Sequence, residues 1–151
     1  MRGALDTNVL IYSEGANDPV RRDAALDLLS RLPPGNVIVP VQVLGELFNV
    51  LVRKSGMTRA IARQRVLFWS DSYTVIETSP QIMQAALDLA TDHHLTIWAA
   101  IVVATASHAG CRLFLSEDLQ DGFTWGGVTV VNPFAPSRHV LLDALLEHST
   151  G

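Results

Sequence analysis

The chain has 151 residues, 48% of them hydrophobic, a single cysteine and a formal net charge of −4. That length fits one domain, residues 1–151, able to bury a core of its own; the lone Cys111 excludes a disulfide framework, and the acidic balance excludes a generally basic nucleic-acid binder. No run reaches the ~18 apolar residues of a membrane span and no basic-then-apolar signal precedes Asp6, so the expectation is a soluble, cytoplasmic protein whose apolar excess meets another chain.

In chain order, Arg2 to Leu5 reads as a short strand, and Asp6-Thr7-Asn8 as a polar turn able to cap the segment after it. Asn17-Asp18-Pro19 punctuates. Ala24, Ala25, Leu28, Leu29 and Leu32 then recur at helical spacing until Pro33-Pro34-Gly35 ends the run. Val37 to Val39 is a β-branched strand stopped at Pro40. From Val41 to Lys54, Leu44, Leu47, Phe48 and Leu51 share one helical face, while Gln42, Glu46, Asn49 and Arg53 form a polar stripe opposite. Thr58 opens a helix to about Ser70, Tyr73 to Ile76 is a third strand, and Pro80 starts a helix with Ile82, Met83, Ala86, Leu87 and Ala90 inward. Ile97 to Ala109 is a nearly all-apolar helix, stopped at Gly110. The strand Arg112 to Leu115 follows, with Cys111 a buried residue at its entry. Val128 to Val131 is a last strand, and Ser137 to Glu147 a terminal helix with Val140, Leu141, Ala144 and Leu145 apolar. Short, continuously apolar strands alternating with helices predict a three-layer α/β/α domain around a central parallel sheet.

Two strands end in carboxylates. Asp6 follows the first, and Glu117, Asp118 and Asp121 follow Leu115, at the edge where sites form in open α/β sheets. Asp6 has an alternative role as a helix N-cap, Asp118 as a plain loop acid and Glu46 as a solvated residue of its stripe. Taken together, carboxylates without His or Cys ligands suit a hard divalent cation, Mg²⁺ or Mn²⁺, rather than zinc. Between Glu46 and Asp71 the only charges are Arg53, Lys54, Arg59, Arg63 and Arg65, a basic segment able to carry a polyanion past that ion. His93 and His94 adjoin each other and do not face one point, and His108, His139 and His148 show no ligand spacing. Trp69, Trp98 and Trp125 read as core or interface anchors. Of the three, Trp69 follows the basic segment and is the candidate for stacking on bases.

The LDTN near the N-terminus, the helix bearing Glu46, the stretch LTIWAAIVVATASHAGC and the ending LFLSEDLQDG together resemble the PIN-domain family, and within it the VapC-type toxin ribonucleases of toxin-antitoxin pairs. The resemblance spans essentially the whole chain. It implies a parallel sheet flanked by helices, a homodimer, a small cognate antitoxin, and Mg²⁺- or Mn²⁺-dependent cleavage of RNA, often transfer RNA. It carries the family's acids onto Asp6, Glu46 and Asp118, with Thr7 and Ser116 as supporting hydroxyls and Asp121 as an outer acid. The basic residues Arg53, Lys54, Arg59 and Arg63 become candidates for RNA contact.

One departure stands out. The family normally has an acid after the Trp of this helix, whereas Trp98 is followed by Ala99 and Ala100. The chain is either a deliberately silenced ribonuclease or a natural homologue with weakened activity, and the rival class is a module that binds antitoxin or RNA without cleaving. A phosphoacceptor receiver domain fits poorly, because it would pair acids after the first strand and place a Lys after a late one; here Asp6 is followed by Thr7-Asn8, and the only Lys is Lys54.

Overall fold

The computed structural model describes residues 1–15 and 18–147; of the positions named in the sequence, Asn17 and His148 lie outside them. Among these residues six strands, β1 (Gly3–Leu5), β2 (Val37–Pro40), β3 (Thr74–Ile76), β4 (Leu113–Leu115), β5 (Thr124–Trp125) and β6 (Val128–Val131), form one sheet in the order β3-β2-β1-β4-β6-β5. All neighbouring pairs are parallel except β5 with β6. Every residue of β1, β2 and β4 is buried, as a sheet covered on both faces requires.

Among the described residues seven α-helices cover it: α1 (Thr7–Ser13), α2 (Pro19–Arg31), α3 (Val41–Arg53), α4 (Arg59–Ser72), α5 (Pro80–His93), α6 (Ile97–His108) and α7 (Val140–Glu147). α1 packs on α2 and α3, and α3 on α4, making one layer; α5 and α6 pack together, with α6 against β2, β4 and β6. α6 carries seven consecutive buried residues, Ala100 to Ala106, which explains why its sequence shows no polar face. At Gly3 an added Cβ would lie 3.1 Å from Leu145 of α7, so glycine there lets the terminal helix sit close on the sheet.

Several expectations need correction. The polar turn at Asp6 opens directly into α1, whose short TNVLIYS run lacks a helical polar stripe and so gave no periodic signal. Thr124-Trp125 adds an antiparallel edge strand, β5, too short to read from alternation. On α5, Met83 and Leu87 are 36% and 52% exposed, and Leu89 takes the inward place beside Ile82 and Ala86. In α2, Ala24 is exposed while Ala25 and Leu28 are buried. α7 begins at Val140, not Ser137, because His139 Nδ1 accepts the Leu141 N–H at 3.1 Å; its buried face is Leu142, Leu145 and Leu146, and Val140 is exposed.

The sheet order fixes where a site can form. β1 lies between β2 and β4, and the chain leaves it toward β2 while β4 continues toward β6 on the other side, so the carboxyl ends of β1 and β4 flank a topological switch point. The register pairs Leu5 with Leu115, and Asp6 N–H donates to the Leu115 carbonyl at 3.0 Å. Asp6 and Ser116, the next residues of the two strands, therefore emerge side by side.

Candidate metal centre

At that switch point a cavity of about 320 Å³ is lined by Asp6, Glu46, Thr96, Trp98, Ala99, Val102, Asp118 and Leu119. Four segments supply it: the end of β1, the middle of α3, the N-terminal turn of α6 and the loop after β4. The carboxylates of Asp6, Glu46 and Asp118 therefore face one space, and Ala99 faces the same space with a methyl group.

The carboxylates of Asp6 and Glu46 are each held by two hydrogen bonds. Asp6 Oδ1 accepts the Thr7 N–H at 2.7 Å as the N-cap of α1, and Asp6 Oδ2 accepts the Ser116 hydroxyl at 2.7 Å. Capping and facing the cavity are thus one placement of Asp6, not rival ones. Ser116 Oγ in turn accepts the Asp118 N–H at 3.1 Å, which fixes the start of the acidic loop. Thr7 Oγ1 donates to Glu46 Oε2 at 2.6 Å, and Gln42 Nε2 donates to Glu46 Oε1 at 2.8 Å and to the Trp98 carbonyl at 3.2 Å. Side chains held in this way present their remaining lone pairs in fixed directions.

Electrostatics agree with a site built for a cation. Asp6 is only 8% exposed, and its pKa is pushed up to about 6, first by burial and further by the charges of Asp118 and Glu46, against the lowering hydrogen bonds from Ser116 and Thr7. Asn8, 8% exposed in the first turn of α1, has neither amide atom partnered among the described residues. The N-terminus of α6 also opens here. Thr96 Oγ1 accepts the Ala99 N–H at 3.2 Å, so Ala99 occupies the position from which an acid completes a capping box and is favoured by the helix dipole.

An all-oxygen donor set of carboxylates and hydroxyls fits Mg²⁺ or Mn²⁺ in kind. It is short in number: among the described residues no three His, Cys, Asp or Glu side chains converge closely enough to hold an ion. The cavity wall where a further carboxylate would point inward is Ala99.

The other residues singled out in the sequence fall elsewhere. Asp121 is exposed and accepts the Asn132 N–H at 2.9 Å, tying the loop to the end of β6 rather than lining the cavity. Glu117 takes the Tyr12 hydroxyl at 2.6 Å and pairs with Arg21 at 2.8 Å, joining α1 and α2 to the β4 loop. Arg53, Lys54, Arg59 and Arg63 are exposed and form no ion pair among the described residues. Arg65 is committed to Glu14 at 2.8 Å. Trp69 is not available for stacking on a base: it is 6% exposed and its Nε1 donates to Glu14 at 2.7 Å. The exposed tryptophan is Trp98, at 62%, on the cavity rim. Sequence reasoning missed it because the apolar run that follows it reads as core; its place in the first turn, next to the capping Thr96, was the available signal.

The PIN domain model matches residues 4–121, more than three quarters of the sequence. The chain belongs to the PIN domain family. Among solved structures it is similar to a toxin-antitoxin complex from Klebsiella pneumoniae, with 20% identity over 87% of this chain and 98% of the other and a TM-score of 0.67. It is also similar to VapC20 of Mycobacterium tuberculosis, described as a toxin cleaving the sarcin-ricin loop, with 21% identity over 77% and 89% of the two chains and a TM-score of 0.66. A third is FitAcB from Neisseria gonorrhoeae, with 16% identity over 87% and 98% and a TM-score of 0.64. At these identities the likeness is one of fold. No curated protein matches the chain. Among the described residues no helix is long and apolar enough to cross a membrane.

Proposed function

We propose that the chain is a VapC-like endoribonuclease toxin, with RNA, and transfer RNA in particular, as substrate, Mg²⁺ or Mn²⁺ as cofactor, and activity weakened or abolished at Ala99. The carrying observation is that Asp6, Glu46, Asp118 and Ala99 line one cavity at the switch point of a PIN fold. Asp6, Glu46 and Asp118 would hold the ion, directly or through water. A divalent cation bound there supplies Lewis acidity toward a phosphodiester and offsets charge on the leaving 3′ oxygen. The protein's own part is positioning. Thr7 and Ser116 keep Asp6 and Glu46 from rotating away from the cavity, and Gln42 steadies Glu46 from the opposite side. The exposed Arg53, Lys54, Arg59 and Arg63 favour a polyanionic substrate.

Partners follow from the same reading. One similar structure is a toxin-antitoxin complex, and exposed apolar side chains on α4 (Ile61, Leu67, Phe68) and α5 (Met83, Leu87) leave surface for a small antitoxin and a second copy of the chain. A cytoplasmic location fits such an assembly. The binding-only reading is favoured by one observation, Ala99 itself. Both readings are tested by incubating a transfer RNA pool with the chain, with Ala99→Asp, and with Ala99→Asp combined with Asp6→Ala, in Mg²⁺ or Mn²⁺. Cleavage by Ala99→Asp alone, leaving 5′-phosphate and 3′-hydroxyl ends, supports the nuclease; silence from all three, with antitoxin still bound, supports the binding module.

A further inference from the structure

A second depression adjoins the acidic cavity and is not needed to hold an ion. It has a volume of about 470 Å³ and is lined by Gln42, Gly45, Glu46, Asn49 and Trp98. Glu46 and Trp98 belong to both spaces, so whatever reaches the ion site from this side passes the indole.

Trp98 combines a fixed backbone with a free ring. Its carbonyl is held by Gln42 Nε2 at 3.2 Å and the Thr96 cap sets the first turn of α6, yet the residue is 62% exposed and its ring makes none of the aromatic contacts found among the described residues. An indole exposed to water in this way offers a π-face to a planar ligand.

Gly45 is a second, independent sign. It lies in the interior of α3, where glycine costs about 1 kcal/mol of helix stability relative to alanine. No packing demand explains it, because a Cβ added there would meet nothing within 4 Å. The missing side chain leaves the floor of the groove flat beside the indole. Asn49, exposed one turn further along α3, brings an amide able to donate to and accept from the edge of a planar heterocycle. Arg53 continues the stripe, two helical turns beyond Glu46 and so about 10 Å along the axis, and it carries no ion pair among the described residues. The sequence of surfaces is therefore acid cavity, flat aromatic slot, amide and cation. It matches a strand that alternates phosphate, base and phosphate.

We propose that this groove is a nucleobase subsite, in which Trp98 stacks on an unpaired base next to the phosphate held at the acidic cavity, with Gly45 as its floor. The proposal rests on the ribonuclease reading above and narrows it to single-stranded RNA, because a base within a duplex has no free face to offer.

The test is fluorescence anisotropy of a fluorescein-labelled, mixed-sequence 12-nucleotide RNA in Mg²⁺. It compares the parent chain with Trp98→Ala, Trp98→Phe and Gly45→Ala, each checked by far-ultraviolet circular dichroism and thermal melting. Loss of one base–aromatic stack should weaken binding between about fivefold and a hundredfold in Trp98→Ala, with most affinity restored in Trp98→Phe. Gly45→Ala should bind RNA several-fold more weakly while melting no lower than the parent, a combination that a structural role for Gly45 does not give. The same RNA annealed to its complement, and an abasic ribose-phosphate oligonucleotide, should bind the parent and Trp98→Ala equally. Single-stranded RNA bound equally by all variants overturns the subsite and leaves the ribonuclease reading standing. RNA unbound by the parent overturns both. If Trp98→Ala instead changes the sedimentation of the protein and leaves RNA affinity intact, Trp98 is a contact between copies of the chain and the subsite is wrong.

Discussion

Replacing Asp6 by asparagine should stabilise this protein, and by an amount that depends on pH. The folded Asp6 carboxyl titrates at about 6 against an ordinary value of 3.8, so folding costs the charged form about 3 kcal/mol at 1.36 kcal/mol per pH unit. The raised value means that the folded chain binds more protons than the unfolded chain between those two pH values. Stability contributed by this group is therefore fully present below pH 3.8, is lost as pH rises toward 6, and stays lost above. Asparagine has no such slope. It keeps an oxygen for the Thr7 N–H and can turn its amide toward Ser116 Oγ, and the raised value is already net of the hydrogen bonds those groups give the charged form. The expected gain for Asp6→Asn at pH 8 is about 3 kcal/mol, or about 6–12 °C in Tm for a chain of this size. At pH 4 the gain should fall below about 1 kcal/mol. Urea and thermal melts of both proteins across pH 4–8, in the absence of divalent ions, measure this directly. A constant difference across that range, or an Asp6→Asn protein less stable at pH 8, would refute the argument that Asp6 is a carboxylate held at a cost to the fold.

Away from the site, Glu14 has a side chain only 7% exposed and accepts from both Arg65 and Trp69, so Glu14→Gln should lower stability by about 1–3 kcal/mol, read as a lower urea midpoint with unchanged slope. Cys111 is buried and its thiol is pushed up to about 11 by that burial, so a thiol reagent at pH 8 should label it only as fast as the chain opens; prompt stoichiometric labelling of the folded protein would contradict its placement.

β1, β2 and β4 were legible because each is a short, wholly apolar run, and their burial leaves little else for Ala4, Ile38 or Phe114 to do. Asp6 and Asp118 were legible for the complementary reason: an acid within three residues of the end of such a run marks the edge of the apolar layer, although the pattern did not separate Asp118 from its neighbour Glu117. Glu46 was visible only as one member of a polar stripe. What selects it over Asn49 or Arg53 is the bond from Thr7 Oγ1, a contact across 39 residues that no local pattern carries. Trp98 misled for the same reason in reverse, since its neighbours Ile97 and Ile101 to Val103 belong to a buried helix while its own first-turn position looks outward. α1 and β5 escaped because seven and two residues are too few for a period to register.

On the proposed reading the cavity is a carboxylate site for a divalent ion, one acid short at Ala99. Its most direct test is isothermal titration of Mn²⁺ into the chain, into Ala99→Asp, and into Ala99→Asp with Asp6→Asn. The chain should bind Mn²⁺ weakly, Ala99→Asp should bind it at least about tenfold more tightly, a gain of about 1.4 kcal/mol or more, and that gain should be lost when Asp6 is neutralised. Equal Mn²⁺ affinity in the chain and in Ala99→Asp, or a gain that survives Asp6→Asn, would contradict it.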